Sequence, residues 1–371
     1  MDEIIDDLED FTFDDDEPVT PLLTPLLTQS HKGPLVLFIG DPHFRTDNIV
    51  EVDMFIERIT ELARERQPDF IVIGGDVLHT HERLHTTPLN RAYAFINAMR
   101  EITKTFVLVG NHDALNNSIF LEPKHWMNAM KEWDNTVIVD FPVYHEYKGC
   151  VFGFMPYVPP GRFIEGLNRG DRDWHTADCI FAHQEFAKCK MGVIESAEGD
   201  IWDDSFPHVV SGHIHERQHV GRRIYYPGSS LQHAFNESDT KIVAMLHFSP
   251  GGTYRSEEIC LGLPQKHTVY SNSDQVVDME VDRLLEGGKY VKLVVSGSSE
   301  EFRSFKKTKK YKDLCAAGVK VAFKGVKINK VPKPSDSKKP AEFMSVLQDL
   351  VHEEGDSYLT KIFHDMIKQV G

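Results

Sequence analysis

From Pro34 onward, short unbroken apolar runs alternate with stretches whose apolar residues recur every three or four positions. LVLFIG is followed by an amphipathic stretch from Asn48 to Gln67, FIVIGG by another from Pro88 to Ile102, and then comes TFVLVG. The pattern predicts strand, helix, strand, helix, strand. Unbroken Val, Ile and Leu runs joined by helices mark strands buried on both faces, so the expected class is α/β. After about residue 145 strand-like runs dominate, among them CVFGFMPY, CIFAHQ, HVVSGHIH, RRIYYPGSS and KIVAMLHF. All five are expected in a second sheet, giving a two-sheet α/β/β/α sandwich over residues 32–264.

Beyond it, KYVKLVVSG, EEFRSFKKTKKYKDLCAAG and VKVAFKGVKI read as strand, helix, strand, a small α/β cap over 265–331. Residues 332–371 read as a linker and a helical C-terminus, split at Gly355. Residues 1–31 repeat TPLLTPLLT and hold ten acidic and no Lys or Arg residues. Such a stretch cannot bury enough to offset its ordering entropy. It is expected to be a disordered tail, either a solubilising arm or, through IIDDLEDFTF, a docking peptide.

Composition narrows the class further. The 371 residues allow about two domains, and a 41% hydrophobic share supports a sizeable core, which excludes a wholly disordered chain. No apolar run is long enough to cross a bilayer, and the acidic start MDEIIDDLEDF is unlike a signal sequence. A soluble protein of the cytoplasm or nucleus is expected. The five scattered cysteines include no CxxC, so free thiols are expected. The formal charge of −16 is uneven, since Arg303 to Lys339 holds thirteen basic and two acidic residues. That segment, above all Lys306, Lys307, Lys309 and Lys310 with Phe305 and Tyr311 alongside, is either a phosphate-contacting surface or a solvated helix face.

The candidate chemistry stands at the strand ends. LVLFIG is followed by Asp41 and His43, FIVIGG by Asp76 and His79, and TFVLVG by Asn111, His112 and Asp113. CIFAHQ supplies His183, and HVVSGHIH supplies His213 and His215. Ligands of open α/β sheets bind at the carboxyl ends of strands, so these clusters should converge. Carboxylates, an amide oxygen and imidazoles form a set too rich in nitrogen for Mg²⁺ or Ca²⁺ and without the thiolates of structural zinc. Mn²⁺, Fe²⁺ or Zn²⁺ would suit it. Seven ligands exceed one ion's needs, whereas two divalent ions sharing a carboxylate need about that number.

The order DxH, GGD, GNHD, AHQ, GHIH resembles the calcineurin-like metallophosphoesterases. GGDVLHTH, FAHQ and YYPGSS are similar to the DNA double-strand-break repair nucleases within them, SbcD and the "meiotic recombination eleven" proteins. The resemblance covers roughly residues 34–265. It implies that Asp41, His43 and His215 hold one metal, that Asn111, His183 and His213 hold the other, and that Asp76 bridges them. It implies that His112 stabilises the transition state or protonates the leaving oxygen. Asp113 is expected to hydrogen bond the His112 ring, and His79 to approach the phosphate or sugar of DNA, or else to be a loop residue. His81 and His85 are expected at the surface. The activity implied is DNA exonuclease or endonuclease cleavage; a phosphatase or phosphodiesterase on a small nucleotide, RNA or phosphoprotein is the alternative, and a non-catalytic scaffold the remote one. A homodimer is a further expectation. So is a separate coiled-coil ATPase docking on 341–369, which otherwise folds back on the cap.

Overall fold

The computed structural model describes residues 33–192, 194–325, 351 and 360–363. The expectations for the acidic tail, the linker and most of the C-terminal helix lie outside these residues.

Strands β1 (Leu35–Ile39), β2 (Phe70–Ile73), β3 (Lys104–Leu108) and β4 (Thr136–Val139) pair in parallel. Helix α1 (Ile49–Arg66) links the first two and α2 (Thr86–Arg100) the next two. The chain then builds a second sheet from β5 (Val143–Tyr147), β6 (Cys150–Met155) and, after the short α3 (Phe163–Leu167), β7 (Cys179–His183). A hairpin of β8 (Lys190–Met191) and β9 (Ile194–Glu195) precedes β10 (His208–Gly212), β11 (Gln218–Val220) and β12 (Ile224–Tyr226). Finally β13 (Val243–Phe248) and β14 (Tyr254–Ile259) return to the first sheet. The sheet orders are β14-β13-β1-β2-β3-β4 and β11-β12-β10-β7-β6-β5.

KIVAMLHF therefore belongs to the first sheet, antiparallel to β1, and not to the second as expected. A fully apolar run fits either sheet, because it carries no sign of which neighbour it pairs with.

Alternation along the strands sets the layers. Leu37, Ile39, Ile71, Ile73 and Val107 pack against Phe55 and Ile59 of α1 and Phe95 of α2. Their neighbours Val36, Phe38, Phe70, Val72 and Phe106 point the other way, onto Phe152, Phe154 and Phe181 of the second sheet. The second sheet's far face packs Ile180, Val209 and Tyr226 against Phe163 and Trp174. This is the α/β/β/α sandwich. Its inter-sheet layer is aromatic, and truncating one such ring to Ala costs about 3–5 kcal/mol.

The cap is a three-stranded sheet, β15 (Lys266–Asn272), β16 (Tyr290–Gly297) and β17 (Lys320–Gly325). Between the first two strands lie α4 (Ser273–Asp278) and α5 (Val281–Leu284), and between the last two α6 (Ser299–Phe305) and α7 (Lys309–Ala316). Where one helix is expected there are two, because the Thr308 hydroxyl accepts the Tyr311 N–H and caps a new start. Core and cap form one compact unit through Lys324, joined by the buried Lys266–Glu51 ion pair (Nζ to Oε2 2.5 Å). All five cysteines are free thiols.

Candidate metal centre

The ends of the neighbouring strands β1, β2 and β3 place residues 41–43, 74–79 and 110–113 side by side, and those of β7 and β10 bring His183 and His213–His215 against them. Two contacts lock the sheets together here. His183 Nδ1 donates to the Gly74 carbonyl (2.7 Å), and the His213 N–H donates to Asp41 Oδ1 (2.8 Å).

Asp76 Oδ2 lies 3.5 Å from His43 Nε2 and 3.4 Å from His183 Nε2. On one side, His43 Nε2 and His215 Nε2 face each other at 3.0 Å beside Asp41. On the other, Asn111 Oδ1 lies 3.0 Å from both His183 Nε2 and His213 Nδ1. The seven candidate ligands thus gather as two groups around one carboxylate.

Backbone strain concentrates at the same residues. Asp41 (φ 36°), His43 (φ 43°), Asp76 (φ 50°) and His213 (φ 79°) all occupy the left-handed region, each at a cost of about 1–3 kcal/mol that the surrounding structure must hold. Close approach accounts for two glycines. A Cβ on Gly75 would fall 2.4 Å from His183 Nδ1, and one on Gly110 would fall 2.2 Å from Asp76 Oδ1.

Asp41 Oδ2 is fully buried and has no hydrogen-bond partner among the described residues. A buried carboxylate oxygen is costly unless something cationic meets it. Burial raises the Asp41 carboxyl above its usual range and pushes the His43 imidazole well down. Burial also opposes charge at Asp76 and His183. Their mutual attraction outweighs it, holding Asp76 well below the carboxylate range and, with Asp41, lifting His183 to about 9. Anionic oxygen, imidazole nitrogen and an amide oxygen, with no thiolate, make a donor set that fits divalent cations.

The His112 ring lies beside the His43 ring, with centroids 5.0 Å apart, and its Nδ1 donates to the His79 carbonyl at 2.6 Å. His79 stacks on it at 5.4 Å, half-buried, with Nδ1 3.4 Å from His43 Nδ1. His81, expected at the surface, also stacks on His112, at 4.7 Å, whereas His85 is exposed at the start of α2.

The expected bond from Asp113 to the His112 ring is not formed. Asp113 turns inward to accept the N–H groups of Val77 (3.3 Å), Leu78 (3.2 Å), Gly110 (3.2 Å) and Trp126 Nε1 (2.9 Å). It fixes the loop that follows Asp76. Burial and the nearby Asp76 push its carboxyl up to about 7.

Lys306, Lys307, Lys309 and Lys310 lie at the junction of α6 and α7, and among the described residues no hydrogen bond or ion pair joins them to the centre. Lys306 sits 4.9 Å over the Phe302 ring, and Lys310 Nζ donates to the Met279 carbonyl.

Sequence reasoning missed His233, Glu237, Glu185 and Arg45. His233 Nε2 donates to the Asp41 carbonyl (2.9 Å), and burial with the nearby His215 lowers its ring to about 3. Glu237 Oε1 accepts from His215 Nδ1 (3.1 Å), and Glu185 Oε2 lies 3.9 Å from His213 Nε2. Glu185 follows the His-Gln motif directly, a usable signal; no local pattern marks the others. Arg45 lines a cleft of about 590 Å³ between core and cap with His233, Phe235, Tyr270, Lys292 and Lys320.

A two-sheet sandwich with this donor set at its strand ends defines a metal-dependent phosphoesterase. The family model described as Calcineurin-like phosphoesterase matches residues 34–217, and the chain belongs to that family. Protein 244L of Invertebrate iridescent virus 6, by name a phosphoesterase, is 48% identical over 278 residues, 74% of this chain and 98% of that one. Protein 078R of Invertebrate iridescent virus 3, likewise named, is 41% identical over 339 residues, 90% of this chain and 96% of that one. One component of the SbcCD nuclease of Escherichia coli K12 is 24% identical over 284 residues, 62% of this chain and 68% of that one. Among the described residues no helix is long and apolar enough to cross a membrane.

Proposed function

We propose that this chain is a two-metal phosphodiesterase that cleaves DNA. The observation that carries the reading is Asp76 Oδ2, within 3.5 Å of an imidazole nitrogen of each ligand group. Asp41, His43 and His215 would hold one ion and Asn111, His183 and His213 the other, with Mn²⁺ the first to try and Fe²⁺ or Zn²⁺ next. Bound ions supply positive charge for the phosphoryl oxygens and an activated water.

The chain's own residues do the rest. His112 donates Nδ1–H to the His79 carbonyl, which leaves Nε2 as the atom offered to substrate. To protonate a leaving oxygen the ring must also hold a proton at Nε2. Burial lowers the ring below its ordinary value, and Asp76 and a phosphodiester anion alongside act the other way. His79 stacks against this ring and lines a second hollow with Arg45 and Thr80, which suits contact with the sugar or phosphate of the substrate. Asp113 acts by holding the Asp76 loop.

A polynucleotide is supported by the cleft, where Arg45, paired with Asp47 at 3.0 Å, and Lys292 and Lys320 stand with the aromatic Phe235 and Tyr270. This is the pairing of cations and stacking faces that single strands use, while Glu51 in the cleft wall is neutralised by Lys266. Lys306, Lys307 and Lys309, exposed on the cap, extend the cationic surface. The Escherichia coli relative is by name one part of a larger nuclease, and residues 341–369 are our candidate for docking a coiled-coil ATPase partner.

The test incubates purified protein and Mn²⁺ with labelled single- and double-stranded DNA, RNA and bis(p-nitrophenyl) phosphate. Shortened DNA products that vanish with chelator support the reading. Turnover of the chromogenic diester with intact DNA would move the assignment to a small-substrate phosphodiesterase, and no turnover of any substrate would leave a scaffold.

A further inference from the structure

His215 closes the ligand group of Asp41 and His43, and the far side of its ring meets a carboxylate that no sequence motif marks. His215 Nδ1 lies 3.1 Å from Glu237 Oε1. Glu237 is itself held on every side. Its Oε2 accepts the His233 N–H at 2.8 Å and lies 3.3 Å from Lys241 Nζ. Lys241, 9% exposed, also donates to the His215 carbonyl at 3.0 Å, and Gln232 Nε2 donates to the Glu237 carbonyl at 3.1 Å. The carboxylate cannot swing away without breaking several of these bonds.

The other ring nitrogen shows why this matters. His215 Nε2 faces His43 Nε2 at 3.0 Å, and a proton on either atom would block a cation there. A carboxylate that accepts the Nδ1 proton leaves the Nε2 lone pair free, fixes the ring's direction and raises its basicity. At His183 the hydrogen-bond acceptor of Nδ1 is a backbone carbonyl, that of Gly74 at 2.7 Å, with Asp41 Oδ1 farther off at 3.5 Å. Lys241 completes the device, since a buried carboxylate is tolerable when paired.

We propose that Glu237 is a positioning residue of the metal centre, which presents His215 Nε2 to the ion that Asp41 and His43 share. The proposal rests on the two-metal reading above. It separates Glu237 from a plain charge partner of Lys241, which would stabilise the fold without touching metal affinity.

The test titrates metal-free protein with Mn²⁺ calorimetrically, for the parent, Glu237→Gln and the double variant Glu237→Gln/Lys241→Met. Both variants should bind one Mn²⁺ about 10–100-fold more weakly and the other as the parent does. The double variant should melt lower than the parent in chelator, because Lys241 also holds the His215 carbonyl, whereas weakening confined to one Mn²⁺ site is the result a mere loss of fold stability would not give. Parental affinity at both sites would overturn the proposal. Should neither variant fold, ring ¹⁵N spectra of the metal-free parent at alkaline pH decide instead: His215 protonated at Nδ1 supports it, and the Nε2–H form refutes it. A parent that binds no Mn²⁺ would instead count against the two-metal reading.

Discussion

Replacing His112 with Asn removes the ring but keeps the backbone N–H that donates to Asp76 Oδ1 at 2.8 Å. The lost contacts are one hydrogen bond to the His79 carbonyl, two ring stacks, with His79 and His81, and an edge contact with the His43 ring. At about 1 kcal/mol for the bond and about 0.5–1.5 kcal/mol for each stack, the fold survives within a usual stability of about 5–15 kcal/mol. Catalysis should suffer more. A positioned proton donor is worth about 10²–10⁴ in rate, or roughly 3–5 kcal/mol, and an Asn amide cannot replace it. The benefit depends on the leaving group, since an alkoxide must be protonated whereas p-nitrophenolate need not be. Initial rates with Mn²⁺ should therefore fall by about 10³ on an oligonucleotide and by less than about tenfold on bis(p-nitrophenyl) phosphate. Elemental analysis of the desalted variant should return the parent's metal content. Equal losses on both substrates would refute proton donation, and loss of an ion would make His112 a ligand.

Gly110→Ala should disrupt both ion sites, because its Cβ would fall 2.2 Å from Asp76 Oδ1 and 2.4 Å from the Asp76 nitrogen; unchanged Mn²⁺ binding would contradict this. His183 should link metal uptake to pH. Its folded value of about 9 lies above the ordinary 6.5, so the metal-free protein gains stability from its charge below pH 6.5 and loses it as pH rises through 9. Any cation must displace that proton, so Mn²⁺ affinity at this site should rise up to about tenfold per pH unit until about 9 and then level off. Binding calorimetry in buffers of different ionisation enthalpy should show the proton released at neutral pH. Replacing Lys306, Lys307 and Lys309 with Gln should make the salt dependence of DNA binding shallower, by up to about three units of log–log slope, with turnover of the small diester intact. Lys310→Gln should instead lower thermal stability, since its ammonium is bound to the Met279 carbonyl.

The first three strands and their helices were legible because a buried parallel strand must be apolar on both faces, and LVLFIG, FIVIGG and TFVLVG are. The ligands were legible for a related reason: chain crossing a sheet edge must turn at once, and the polar residues after each run had one edge to share. Pairing partners were not legible, so KIVAMLHF was expected in the wrong sheet, and β4, β5, β14, β15 and the short β8, β9 and β11 went unnoticed. Asp113 shows the limit within the site. Adjacency to His112 suggested a bond, but side-chain direction is set by the loop, and the loop turns Asp113 toward Trp126. Glu237 and His233 lie between PGSS and β13 in a stretch without periodicity, and only folding brings them to Asp41 and His215.

Crystals grown with Mn²⁺ and measured at the manganese edge would test the shared-carboxylate centre directly. Two anomalous peaks are expected, one in reach of Asp41, His43 and His215, the other in reach of Asn111, His183 and His213, with Asp76 touching both. A single peak, or two peaks of which Asp76 touches only one, would contradict it.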